Sequence, residues 1–367
     1  MTKLRLKKKN TAIASAVVVF LSIELINPGK IIASNKLKSL NYSNESANRI
    51  IELGLKNKVL NNVYNAFIDK NVSDTNFNLD NYDFYNEISC DKKISVELVN
   101  QLKEKGYLSK DVSYILQRGD HDSISDLLTK SKILDISDYL SYDFAKLSLL
   151  DRYIEYKKIN GVKYETAVTY VNIGIDEDFY SNYKTVNEFS YTMLVNKYNR
   201  LNENFVPEDL KIFPKGYCSS DCPKDNSVVV DAFIKMADAM KEEGIKVYVN
   251  SAYRSFEEQK KTYEKYTKLY GENYDVAKPG FSEHQTGLSI DLRSGSGTFK
   301  GSKAETWIKE HGYKYGFILR YDSTKTKITG YNEPWHIRYV GESIAEDIKN
   351  KKITFDEYYV KYLEGRE

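Results

Sequence analysis

One-sided charge is missing from this 367-residue sequence: 54 basic and 52 acidic side chains leave a net charge of +2. With no basic field or patch, nucleic-acid binding is excluded as a function. Long apolar runs are missing too, apart from one near the start, so the chain is not a polytopic membrane protein. Only three cysteines occur. Cys218 and Cys222 stand close together in YCSSDCP, a spacing that predicts a small-loop disulfide in an oxidising compartment. A structural zinc site would need more soft ligands than Cys90 can add. Cys90 is therefore read as a buried free thiol. What is present, 41% apolar and 29% charged residues, suits soluble globular domains. The length exceeds what one hydrophobic core organises and predicts two folded units plus a terminal segment. The 31 tyrosines are assigned no chemistry.

The one apolar run lies at the start. Lys3, Arg5, Lys7, Lys8 and Lys9 precede a stretch from Ala12 to Phe20 that continues through Ile26. A positive cluster abutting an apolar segment is an export signal. Residues 1–34 are thus expected to be a signal peptide or an uncleaved membrane anchor, placing the rest outside the cell. Residues 35–190 carry apolar side chains at three- and four-residue spacing and predict a mostly helical region with no strict internal period and no catalytic constellation. His121, between two aspartates, reads as a surface residue. From about residue 191 the pattern mixes. A helix is expected over 228–244 and another over 256–271, opened by the capping pair Ser255 and Glu258. Strands are expected over 245–255, 287–293 and 334–341. Helices intermixed with short antiparallel strands predict an α+β domain over 191–345, followed by a helical tail, 346–367.

Three of the four histidines fall in this domain. In GLSIDL, period two places Leu288, Ile290 and Leu292 on one face and Ser289 and Asp291 on the other. His284 precedes that strand by a turn. In NEPWHIRYVG, His336 follows Glu333 by three residues. Two imidazoles and a carboxylate are a three-ligand set for zinc that leaves one position open. Glu333 would then serve as the base that moves the proton of an attacking water. His311, late in a helix, reads as a C-terminal helix cation.

SAYRSFEEQ, SEHQTGLSIDL and EPWHIRYVG resemble, in order and spacing, the signature blocks of bacterial D-alanyl-D-alanine carboxypeptidases of the VanY type. These belong to a metallopeptidase group that includes D-Ala-D-Ala dipeptidases and L,D-carboxypeptidases. The resemblance covers about residues 191–345. It implies one zinc ion on His284, Asp291 and His336, with Glu333 as catalytic base. It also implies a substrate pocket containing Arg254, Gln259 and Ser282, with Trp335 beside it. The implied partners are peptidoglycan stem peptides, and the membrane if the N-terminal segment stays uncleaved. Chemically, the Arg254 guanidinium suits a terminal carboxylate through two parallel hydrogen bonds, or the oxyanion of the reaction.

Three alternatives are compatible with the same residues. Two histidines and a carboxylate also form the facial triad of iron oxygenases, though that chemistry has no use for a base at Glu333. A non-catalytic wall-binding module would keep the pocket without turnover. Within the family, L,D-specificity or endopeptidase action differs from D,D-carboxypeptidase action only by small contacts around the leaving residue.

Overall fold

The computed structural model describes residues 28–218, 221–271 and 276–365. The expected export segment falls mainly on residues 1–27, outside the described residues. No helix among those described is long and apolar enough to cross a membrane. The chain divides into two compact units, one ending at Gln117 and the other running from Arg118 to Glu367. Residues 118–190, which the sequence groups with the N-terminal region, thus pack in the same unit as the α+β domain.

The first unit is helical. Its helices present apolar stripes inward, as with Val96, Val99 and Leu102 on Val96–Glu104 and Val112, Ile115 and Leu116 on Ser109–Arg118. Cys90 is buried there and unpaired, its thiol pushed up by burial. A repeated device recurs in the two units. The Tyr85 hydroxyl bonds Asn100, which donates to the Asn76 carbonyl at 3.0 Å, and the Asn78 N–H donates to Tyr85. In the second unit, Tyr153 donates to Asn172 at 2.6 Å, Asn172 donates to the Phe144 carbonyl, and the Lys146 N–H donates to Tyr153. The Tyr–Asn separation is 15 residues in one case and 19 in the other, which hides the repetition from any fixed-period reading.

The second unit is α+β. Its centre is a four-stranded antiparallel sheet of β1 (Val247–Ser251), β2 (Ser289–Ser294), β3 (Phe317–Tyr321) and β4 (Glu333–Tyr339), in spatial order β1-β2-β4-β3. Three of these match expected strands. The fourth, β3, was not expected: its FILRY segment lacks the apolar–polar alternation that marks a half-buried strand. Helix α1 (Ser227–Glu242) packs on one face. Val229, Val230, Phe233, Met236, Ala237 and Met240 form a stripe at helical spacing, and all are buried in one core with Leu288, Ile290, Leu292 and Ile337. Asn226 caps this helix by accepting the Val228 N–H at 3.1 Å. Helix α2 (Phe256–Tyr270) opens with the expected capping box, Ser255 and Glu258 each accepting the other's backbone N–H. Helix α3 (Lys303–His311) ends at His311, whose ring lies 5.0 Å from that of Trp307. The tail folds into α4 (Glu342–Lys351) and α5 (Phe355–Tyr358), which bury Ala345, Ile348, Phe355 and Tyr358 against Leu194, Ile318 and Val340. Cys218 and Cys222 are joined by a disulfide.

Candidate active site

Sheet register builds the site. Asp291 on β2 pairs with His336 on β4, and on its other side with Ser251 on β1. The apolar face of β2 meets the α1 core as the period-two pattern predicts, with Leu288 and Ile290 fully buried. The opposite face is polar yet largely removed from solvent. Ser289 is fully buried, as are Arg338 and, nearly so, His336.

His284 enters from the 3-10 turn Glu283–Thr286 that precedes β2. That turn closes on Gly287 at φ +68, where a Cβ would stand 2.9 Å from Pro207, so only glycine fits without displacement. His284 directs Nε2 to Asp291 Oδ2 at 3.2 Å, and His336 directs Nδ1 to Asp291 Oδ1 at 3.1 Å. The two rings lie nearly perpendicular, 4.9 Å apart. One ligand atom from each of the three residues lies within 4.8 Å of the others, and no second such group is found among the described residues. Donors around a tetrahedral zinc ion at about 2.0–2.1 Å stand roughly 3.4 Å apart, so two nitrogens and a carboxylate at these separations fit that ion.

Each imidazole has a fixed partner behind it. The carbonyl of Ala252 can only accept, so His284 carries its proton on Nδ1, 2.8 Å away, and keeps Nε2 for the site. His336 Nε2 faces Glu283 Oε2 at 3.3 Å. Glu283 is one of the residues the sequence reading missed, together with Arg320, Arg338 and Asp356. It is almost fully buried and meets Arg320 Nε at 2.8 Å and Arg338 at 3.3 Å. Its place between Ser282 and His284 was the only available hint, since its two arginines come from distant strands.

The electrostatics follow from these contacts. Burial alone would raise the Asp291 carboxyl, but the two histidines outweigh it and hold it far below the usual range. Glu283 behaves likewise, with Arg320 and Arg338 overcoming burial. Burial and the nearby Arg254 lower His284 to about 4. For His336 burial pulls down, but bonds to Asp291 and Glu283 prevail and raise it to about 9.

Glu333 begins β4, and its Oε2 stands 3.8 Å from His336 Nδ1. Arg254, Gln259, Ser282, Glu333 and both histidines line one small cavity of about 40 Å³, which Tyr321 and Tyr331 also wall. Gln259 is fully buried, donates to the Ala277 carbonyl at 2.7 Å, and its Oε1 has no partner among the described residues. Arg254 Nε is likewise buried without a partner there. Trp335 is not brought into this cavity; it is exposed, at 38% of its surface. His121 lies elsewhere, exposed at the start of a helix.

Residues 224–342 match the VanY family, described as D-alanyl-D-alanine carboxypeptidase. The chain is 40% identical over 181 residues to the YodJ protein of Bacillus subtilis, spanning 46% of this chain and 66% of that one. It is 35% identical over 174 residues to a D-alanyl-D-alanine carboxypeptidase of Enterococcus faecium, spanning 47% of this chain and 50% of that protein. The chain thus spans between about half and two thirds of the length of these curated relatives. Among solved structures, it is 35% identical to the LdcB LD-carboxypeptidase, covering 50% of this chain and 94% of that one with a TM-score of 0.45. It is 30% identical to a mutant of the vancomycin-resistance D,D-pentapeptidase VanY in complex with Zn(II), covering 46% and 99%, with a TM-score of 0.41.

Proposed function

Residues 224–342 are a VanY-type peptidase domain, and from that premise we propose that this chain is a zinc carboxypeptidase that removes the terminal D-alanine from peptidoglycan stem peptides. The reading places it on the outer side of the bacterial envelope, where that substrate lies. One observation carries it: His284, Asp291 and His336 offer three converging ligand atoms beside a carboxylate, Glu333, on a cavity that also holds an arginine.

Zinc held by these three residues would supply Lewis acidity toward a water and the scissile carbonyl. Glu333 takes the proton of the attacking water and returns it to the leaving amine. Arg254 pairs with the free carboxylate of the substrate through two parallel N–H bonds. The buried Gln259 and Ser282 orient the leaving residue. The narrowness of the cavity favours a side chain as small as a methyl group. The kinship to an enzyme named LD-carboxypeptidase supports a second reading, in which the same machinery acts on an L,D bond.

Mass spectrometry of products from pentapeptide and tetrapeptide muropeptides, with and without a chelator, tests both. The expected result is loss of one alanine from the pentapeptide, abolished by the chelator and by Glu333→Ala. Loss from the tetrapeptide instead selects the L,D reading. Tight binding with no released alanine in any arm establishes a wall-binding module and removes the enzymatic reading.

A further inference from the structure

The matched family region ends at residue 342, yet the buried polar network behind the candidate metal ligands continues beyond it. Asp356, on α5 and fully buried, accepts from Arg320 at 2.5 and 3.1 Å and from Asn196 Nδ2 at 2.8 Å. Arg320 passes the contact on: its Nε donates to Glu283 Oε1 at 2.8 Å. Glu283 Oε2 then accepts from Ser289 at 3.2 Å and faces His336 Nε2 at 3.3 Å. The neighbouring Phe355 lies under both arginines, 5.6 Å from the Arg320 guanidinium and 5.5 Å from that of Arg338. Helix α5 itself is fixed by a capping box between Thr354 and Glu357.

Stability does not account for such a network. A buried ion pair contributes little beyond what well-packed apolar side chains of the same volume would, while removal of one member leaves an uncompensated charge. Geometry is what it supplies. An imidazole that donates its far N–H to an immobilised carboxylate has its tautomer and ring rotation set, and its other nitrogen is presented as a ligand. Here that other nitrogen is Nδ1, the atom facing Asp291.

We propose that the C-terminal segment is a working part of the metal centre, with Asp356 acting through Arg320 and Glu283 to position the ring of His336. Glu283 and Asp356 are positioning residues: Glu283, which also borders the cavity, acts through the His336 ring, and Asp356 acts through Arg320 and Glu283. The inference rests on the zinc reading of His284, Asp291 and His336.

The test is zinc affinity of the full chain, read by competition with a chromophoric chelator, together with the absorption spectrum of the cobalt(II)-loaded protein. Wild type, His336→Ala, Glu283→Gln and Asp356→Asn are compared, each checked for folding by thermal melting without metal. Glu283→Gln should weaken zinc binding by about 10–100-fold, the usual effect of losing a partner behind a histidine ligand, and alter the cobalt spectrum. Asp356→Asn should weaken it in the same direction by less. Failure of wild type to bind zinc at all, equal to His336→Ala, overturns the metal reading itself. Zinc bound by wild type, with both carboxamide variants folded and unchanged in affinity and spectrum, overturns the positioning role alone. If Glu283→Gln does not fold, Asp356→Asn decides on the same criteria. Failure of both to fold assigns the network to stability and overturns the inference.

Discussion

The Nδ1–H of His284 donates to the main-chain carbonyl of Ala252 at 2.8 Å, and this single bond decides which face of the ring meets Asp291. Ala252 directly follows β1, so the first strand of the sheet orients a side chain that enters ahead of the second. His336 is set differently, by a side-chain carboxylate. One candidate ligand is therefore fixed by backbone and the other by a buried charge network.

Glu333→Gln should separate chemistry from metal binding. As the proposed base, its loss should lower kcat by about 10²–10⁴-fold, the range of a general-base contribution. Zinc content, measured by atomic emission, should stay at the wild-type level because Glu333 is outside the three-ligand set. Full activity in this variant means that another group moves the proton.

Zinc affinity should rise with pH. In the metal-free protein burial lowers the His336 pKa, but Asp291 and Glu283 raise it from the usual 6.5 to about 9. That proton stabilises the metal-free fold fully below pH 6.5, and the stabilisation is lost as pH rises through about 9. Zinc must displace the proton from Nδ1, so affinity should climb about tenfold per pH unit toward pH 9 and then level off. His284, lowered to about 4 by burial and Arg254, contributes nothing to this slope above about pH 5. Calorimetric titration at pH 7.5 in buffers of different ionisation enthalpy should find about one proton released per zinc; none released rejects the assignment.

Arg254→Lys should not be a conservative change. Lysine keeps the charge but lacks the planar fork that pairs with a carboxylate twice. We expect kcat/KM on a pentapeptide substrate to drop by about 10–100-fold, in keeping with one lost charge-assisted hydrogen bond, mainly through a higher KM. An unchanged KM would place Arg254 away from the substrate carboxylate.

Gly287→Ala should destabilise the fold around the His284 turn. The residue is left-handed, and its new Cβ would meet Pro207 at 2.9 Å. The cost should be about 1–3 kcal/mol, seen as a lower Tm in the metal-free protein. A Tm equal to wild type would show that Pro207 and the turn shift freely.

Much of the site was legible because the relevant signals are local. Period two in GLSIDL separated Ile290 from Asp291, and the structure buries Leu288, Ile290 and Leu292 accordingly. Capping chemistry at Ser255 and Glu258 marked the start of a helix without any tertiary information. Trp335 is the instructive exception: adjacency to His336 in sequence suggested adjacency in the site, but neighbouring strand residues face opposite ways, and its ring is exposed.

By itself the sequence marked three of the four strands of the sheet, the helices that begin near Val228 and Phe256, and the residue types capable of holding zinc, because each depends on spacing along a few turns of chain. Tertiary structure alone decided the register that sets Asp291 opposite His336, the strand Phe317–Tyr321, and the burial of Arg320, Arg338, Glu283 and Asp356 as one network. Charged side chains far apart in sequence carry no local mark of their eventual partners. Only their joint removal from water, each with a counter-charge in reach, makes their burial tolerable, and that condition exists only in the assembled fold.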